Sequence, residues 1–216
     1  MPRLPGDGMR DRIKAIAKEL YVRRGYAGFS FGDIAAALET TRANIHHHFG
    51  SKQGLVEAIV EDFVADAIAR TRRHWTAPAP SLRHRLRAQL ADLRAFYRRF
   101  NRAKGERNFW SPLARLRHDG ETLGRVSFGA LERVNRSFDR CLSQAVREAI
   151  ARGELRPGTP VAAVVRQLRA IILSSAPMTL DRGRFDEIER LFAAFADTLF
   201  AAYAAPAARK PRRRSP

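Results

Sequence analysis

Residues 26–52 read Tyr26-Ala-Gly-Phe-Ser30, Phe31-Gly-Asp-Ile-Ala-Ala-Ala-Leu38, Glu39-Thr40, Thr41-Arg-Ala-Asn-Ile-His-His-His-Phe49, Gly50-Ser-Lys52. Two short amphipathic helices fit here, with only Glu39 and Thr40 between them. Ser30 is placed to cap the first, and Asp33, three residues on, to close a capping box. Ile34, Ala37 and Leu38 form its expected inner stripe. Thr41 can cap the second helix. Successive helical residues point about 100° apart, so Ile45 and Phe49 share one face, with Thr41 and Arg42 at its border. Ala43 and His47 point the opposite way, flanked by Asn44 and His46. The apolar pair anchors the helix and leaves Ala43, Asn44, His46 and His47 facing outward. A small residue at Ala43 lets that face come close to another surface. An outward polar helix of this length, seated by a tight turn, suits the DNA major groove. Asn44 can pair with an adenine edge there, and Arg42 with guanine or a phosphate. Lys52 lies where a positive charge can meet phosphate, as can the free N–H groups of the helix that Ser51 caps.

The periodicity outside this stretch is helical almost throughout, with no strand pattern of any length. Ile13, Ile16, Ala17, Leu20 and Tyr21 predict a first helix over 9–24, stopped by Gly25. Leu55, Ile59 and Phe63 predict one from Ser51 to His74, and Pro78 and Pro80 break the pattern after it. Further helices are expected over 81–102, within 103–120, over 121–152, and at about 161–176 and 185–203.

Composition bounds the function. Of 216 residues, 45% are hydrophobic, enough for a real core, and the net charge of +18 points to a polyanionic partner. Part of that charge is ordinary solvated arginine, so it does not by itself select DNA. Residues 204–216 carry five cations and no acid, which reads as a disordered basic tail. Cys141 is the single cysteine, so no intrachain disulfide can form, which fits a reducing cytosol. No apolar run approaches the roughly 18 residues of a membrane span, and Met1 to Gly8 lacks a signal-peptide core. A cytoplasmic protein with no membrane partner is expected.

Beyond these features the chain resembles the TetR/AcrR family of bacterial repressors from Ile13 to about Ile59. The parts that match are Gly25-Tyr26, Ile34-Ala35, and Ile45, His47-His48-Phe49 and Ser51-Lys52 ahead of Leu55. The resemblance implies an all-α homodimer: an N-terminal three-helix helix-turn-helix domain, then a larger helical ligand-binding and dimerisation domain whose last two helices pair between subunits. It also implies that Ser30, Thr41, Arg42, Asn44, His46, His47 and Lys52 touch DNA. Two positions depart from the family pattern. Glu39 stands where the family usually has glycine, and a left-handed backbone there costs about 1 kcal/mol. His46 stands where the family usually places a tyrosine on phosphate, and it is shorter and can be charged.

The division expected is 1–56 for DNA binding, 57–203 for effector binding and dimerisation, and 204–216 for the tail. Phe96, Tyr97, Phe100, Trp110, Phe128 and Phe138 are candidates for an effector pocket, although for any one of them core is the favoured reading. Arg94, Arg98 and Arg169 are the arginines that could face an anionic group on a mostly apolar ligand. Leu168, Ile172, Phe192 and Phe195 are the expected dimer seam. Three histidines in a row cannot converge on one ion, so His46–His48 is not read as a metal site. No nucleophile set, phosphate loop or paired-cysteine motif stands out, so neither an enzyme nor a cofactor is expected. The reading is a repressor that a small-molecule effector releases from a palindromic duplex operator. The alternative is a basic helical nucleic-acid-binding protein without effector control.

Overall fold

In a computed structural model, residues 7–206 are described. The elements are α1 (Asp7–Arg24), α2 (Phe31–Leu38), α3 (Arg42–Phe49), α4 (Lys52–Trp75), α5 (Leu82–Phe100), α6 (Pro112–His118), α7 (Gly120–Leu123), α8 (Arg125–Ala151), α9 (Val161–Arg182) and α10 (Asp186–Tyr203). The described residues form an all-α protein, with a single isolated backbone bridge between Leu155 and Ala204.

The helix boundaries in the first half follow from the caps. Asp33 N–H donates to the Ser30 hydroxyl at 3.3 Å, and Ser30 N–H returns to the Asp33 carboxylate at 2.8 Å. Thr41 accepts from Asn44 N–H at 3.1 Å, and Ser51 from Gly54 N–H at 3.0 Å. Glu39 adopts φ 51°, ψ 46°, the left-handed conformation expected of it, and ends α2. Ile13, Ala17, Tyr21, Ile34, Ile45, Leu55 and Ile59 close over one another as a small core. In α2 the inner stripe is Ile34, Ala35 and half-buried Leu38, whereas Ala37, expected inside, is exposed. At Gly25 and Tyr26, α6 comes against the α1–α2 turn.

α4 joins the two halves. Its first turns pack on α1 and its length lies along α8. Arg85 of α5, 2% exposed, secures the turn after α4 by donating to the Trp75 and Ala77 carbonyls and to Glu148 of α8. α8 and α9 pack together, and α10 packs on α9 and α5.

Three expectations change. The helix expected over 121–152 is split, because Gly124 takes φ 51°, ψ −124°, a backbone that suits glycine and interrupts the helical hydrogen bonds. α9 extends to Arg182 despite Pro177, and by length and composition it is long and apolar enough to cross a membrane. Here Val164, Val165, Leu168 and Ile172 bury one stripe of it against its neighbours. The tail does not begin at 204, since Arg156 N–H donates to the Tyr203 carbonyl and Ala205 N–H to that of Glu154. The basic run from Arg209 to Arg214 lies outside the described residues.

Candidate nucleic-acid interface

α3 stands on one fully buried side chain, Ile45, whose burial contributes about 2–3 kcal/mol. Thr41, Arg42, Ala43, His46 and His47 are exposed, and Asn44 is half-buried. The outward set expected from the helix wheel is therefore the set the fold presents. The Asn44 amide donates to the Thr40 hydroxyl at 3.0 Å, which leaves its carbonyl oxygen and one N–H for a base edge. The Arg42 guanidinium lies over Gly32, where a Cβ would fall 2.9 Å from Nη2, so the absence of a side chain there makes room for it. His47 and His48 meet edge to face at 5.7 Å between ring centroids.

Two of the expected contact residues are engaged within the protein. The Ser30 hydroxyl donates to Asp33 at 2.7 Å while accepting from its N–H, so it serves the α2 cap. Bonds from Ser30, and then from Arg24, hold the Asp33 carboxyl below the usual carboxylate range. Lys52 is the larger correction. Its ammonium donates to the Phe29 carbonyl and sits 4.7 Å from the centroids of both the Tyr26 and Phe29 rings. Burial lowers its pKa. In this conformation Lys52 fastens the start of α4 to the loop before α2 and does not reach outward for phosphate.

Residues that sequence reasoning missed brace α3 and the α1–α2 segment that adjoins it. Arg10 of α1 donates to the His48 carbonyl at 2.7 Å and lies 4.4 Å from the Phe49 ring centroid. On α6, buried Arg115 donates to the Val22 and Arg23 carbonyls at 3.1 and 2.9 Å, and Asp119 accepts from Tyr26 N–H at 2.8 Å. Gly25 permits this approach, since a Cβ there would meet both Asp119 oxygens at 3.2 Å. Burial, with Asp119 close by, pushes the Tyr21 phenol far above its ordinary range. No local pattern marks these contacts, because the partners are up to 93 residues apart.

The larger half holds a cavity of about 460 Å³ among α1, α4, α5, α8 and α9. Of the expected lining residues, Phe96, Phe100, Trp110 and Phe138 are there, joined by Phe63 of α4. Tyr97 points elsewhere, about 100° around α5 from Phe96, and packs 5.3 Å from the Phe185 ring at a second, shallower cleft. Phe128 is 60% exposed, because it lies off the α8 stripe of Ser127, Leu131 and Val134. The arginines are placed differently from expectation: Arg94 pairs with Glu189, Arg169 with Asp139, and Arg98 lies at the second cleft. Leu168, Ile172, Phe192 and Phe195 are all buried within the protomer, so they form its own core and cannot be the surface of a seam.

The fold and this exposed helix define a helix-turn-helix protein with a larger helical half. Residues 13–59 match the family model described as bacterial regulatory proteins, tetR family. That segment is similar to the family's sequences over about a fifth of the chain. It is 34% identical over 47 residues to the HTH-type transcriptional regulator QacR of Staphylococcus aureus, covering 22% of this chain and 25% of that protein. It is 33% identical over 95 residues to the HTH-type transcriptional regulator BetI of Burkholderia thailandensis, covering 42% and 47%. The matched segments thus span a quarter to about half of those relatives. The crystal structure of Escherichia coli NemR in its reduced form superposes with a TM-score of 0.74 at 19% identity, over 93% of this chain and 100% of that one. At that identity the likeness concerns the fold.

Proposed function

We propose that the protein is a homodimeric transcriptional repressor that binds a palindromic duplex operator through α3 and leaves it when a small molecule fills the cavity. The observation that carries the reading is the exposed polar face of α3, held by buried Ile45 behind a two-residue turn. Arg42, Ala43, Asn44, His46 and His47 face the groove in this reading, with Thr41 at the helix N-terminus. Such a protein works in the bacterial cytoplasm.

The dimer seam moves to the outward faces of α9 and α10. Ala170 and Ala194 are exposed there, and Ile171 and Leu191 are half-buried. Small side chains let two helices approach closely, and the apolar character of α9 exceeds what its inner stripe uses. A two-fold pair sets two reading helices about 34–36 Å apart, or a multiple of that.

The switch rests on α4 and α6. α4 starts beside α3 and then lines the cavity, while Trp110 and Pro112 carry the cavity wall into α6. A ligand releases DNA only if it binds the wider-spaced dimer more tightly, and operator DNA then weakens ligand binding by the same factor. Selection of bound fragments from a random DNA pool tests the whole reading. An enriched palindrome with a sharp specificity ratio supports it. Uniform binding overturns it in favour of a basic protein that coats nucleic acid without sequence choice.

A further inference from the structure

Building on the effector reading above, we propose that the cavity selects an uncharged, mainly aromatic molecule with one hydrogen-bond acceptor, and that the Gln89 amide nitrogen reads that acceptor. The cavity walls carry Phe63, Phe96, Phe100, Trp110 and Phe138, so the body of a ligand meets rings. A volume of about 460 Å³ is of the size that small-molecule sites have.

Half of the lining residues are polar or charged, and several of them are already committed to one another. The Thr71 hydroxyl spends its proton on the Ala67 carbonyl at 2.7 Å. Gln89, 5% exposed, accepts the indole N–H of fully buried Trp75 at 2.9 Å. An indole nitrogen only donates, so this bond decides which end of the amide is oxygen. The Gln89 NH2 group is left with no protein acceptor among the described residues, on a side chain that lines the cavity. That nitrogen is not sealed off but opens on the cavity, where a ligand carbonyl can serve as its acceptor.

The charges argue against an ion. Lys14 and Lys18 both close on Asp62, at 2.6 and 2.7 Å. Arg70 and His74 both face Asp92, at 3.8 and 3.5 Å. Arg117 and Asp66, of opposite sign, are exposed at the rim. Across the whole lining five Lys or Arg residues stand against five Asp or Glu, so no cation is in surplus, and a carboxylate entering the cavity would leave water without a net positive charge to meet it.

Three matched probes test the proposal: 2-acetylnaphthalene, with a neutral acceptor; 2-naphthoate, with an anion; and 2-ethylnaphthalene, with neither. Trp110 lines the cavity and Trp75 holds Gln89, so quenching of these two tryptophans reports binding. The ketone is expected to bind the full chain about tenfold more tightly than either of the others. In Gln89→Met the ketone falls to the level of the ethyl compound, whose own affinity is kept and shows the cavity intact. If Gln89→Met does not fold, the ranking on the native chain decides. Tightest binding by the naphthoate, or a ketone preference that survives Gln89→Met, overturns the proposal and leaves the cavity an effector site. If none of the three binds by quenching or by equilibrium dialysis, the proposal and the effector reading both fall.

Discussion

The Arg115 guanidinium of α6 donates to the Val22 carbonyl in the last turn of α1 at 3.1 Å, and so ties the element that walls the cavity to the first helix of the N-terminal half. A second bond to the Arg23 carbonyl and the Asp119 bond to Tyr26 N–H complete the clasp. The Phe109 ring, 3.5 Å from the guanidinium carbon, covers its other side. The end of α1 is capped here by a side chain from the other half of the chain.

Arg115→Ala should therefore destabilise the protein by about 2–4 kcal/mol, since two carbonyls lose their donor and Asp119 loses its neighbouring cation. Urea titration measures it. A loss below about 0.5 kcal/mol, the level of an ordinary surface substitution, would show that the clasp is ornamental.

The residues proposed to face DNA divide by role. Asn44→Ala should relax base preference at one operator position by about 1–3 kcal/mol. Arg42→Ala should lower the salt dependence of binding by about one unit of slope. Lys52→Ala should leave that slope unchanged and lower thermal stability instead, because the ammonium is held between the Phe29 carbonyl and two rings. Binding isotherms at several salt concentrations separate the two cations. A fall of a full unit with Lys52→Ala would mean that the lysine swings out to phosphate when DNA arrives.

On the dimer, Leu191→Asp should give a folded monomer at micromolar concentration, because Leu191 stands half-buried on the outward side of α10. Phe195→Asp should instead unfold the chain, as Phe195 is 9% exposed inside the protomer. Sedimentation velocity with circular dichroism distinguishes the two. A Leu191→Asp dimer as tight as the parent would place the seam elsewhere.

Asp62 links α4 to Lys14 and Lys18 of α1. Burial works against its carboxylate, yet the two lysines hold its pKa below the ordinary value. A carboxylate depressed in the folded state contributes stability above its unfolded pKa of about 3.9, and that contribution is lost as pH falls through the folded value. Asp62→Asn should thus be less stable than the parent at pH 7 by about 1 kcal/mol, and the gap should close below about pH 4. Thermal unfolding across that range checks it, and a gap that persists into acid would assign the effect to packing.

The local code of the chain determined the helix-turn-helix by itself. Ser30, Thr41 and Ser51 cap helices through neighbours three residues away, and Ile45 and Phe49 fall on one face by periodicity alone. A left-handed or adjusted backbone at Glu39 was legible only through the resemblance, which puts a glycine there, and the left-handed form is the one adopted. What the local code could not decide was where each outward or inward side chain finds its partner. Leu168, Ile172, Phe192 and Phe195 have the spacing of a seam, but apolar periodicity says only that a face is covered, and here the same chain covers it. Lys52 has the sequence position of a phosphate contact, and the loop that brings Tyr26 and Phe29 beside it turned it inward. The cavity, the orientation of Gln89 and the Arg115 clasp all join residues far apart in the chain. Such contacts depend on helix packing angles, and those are settled only when the whole core closes.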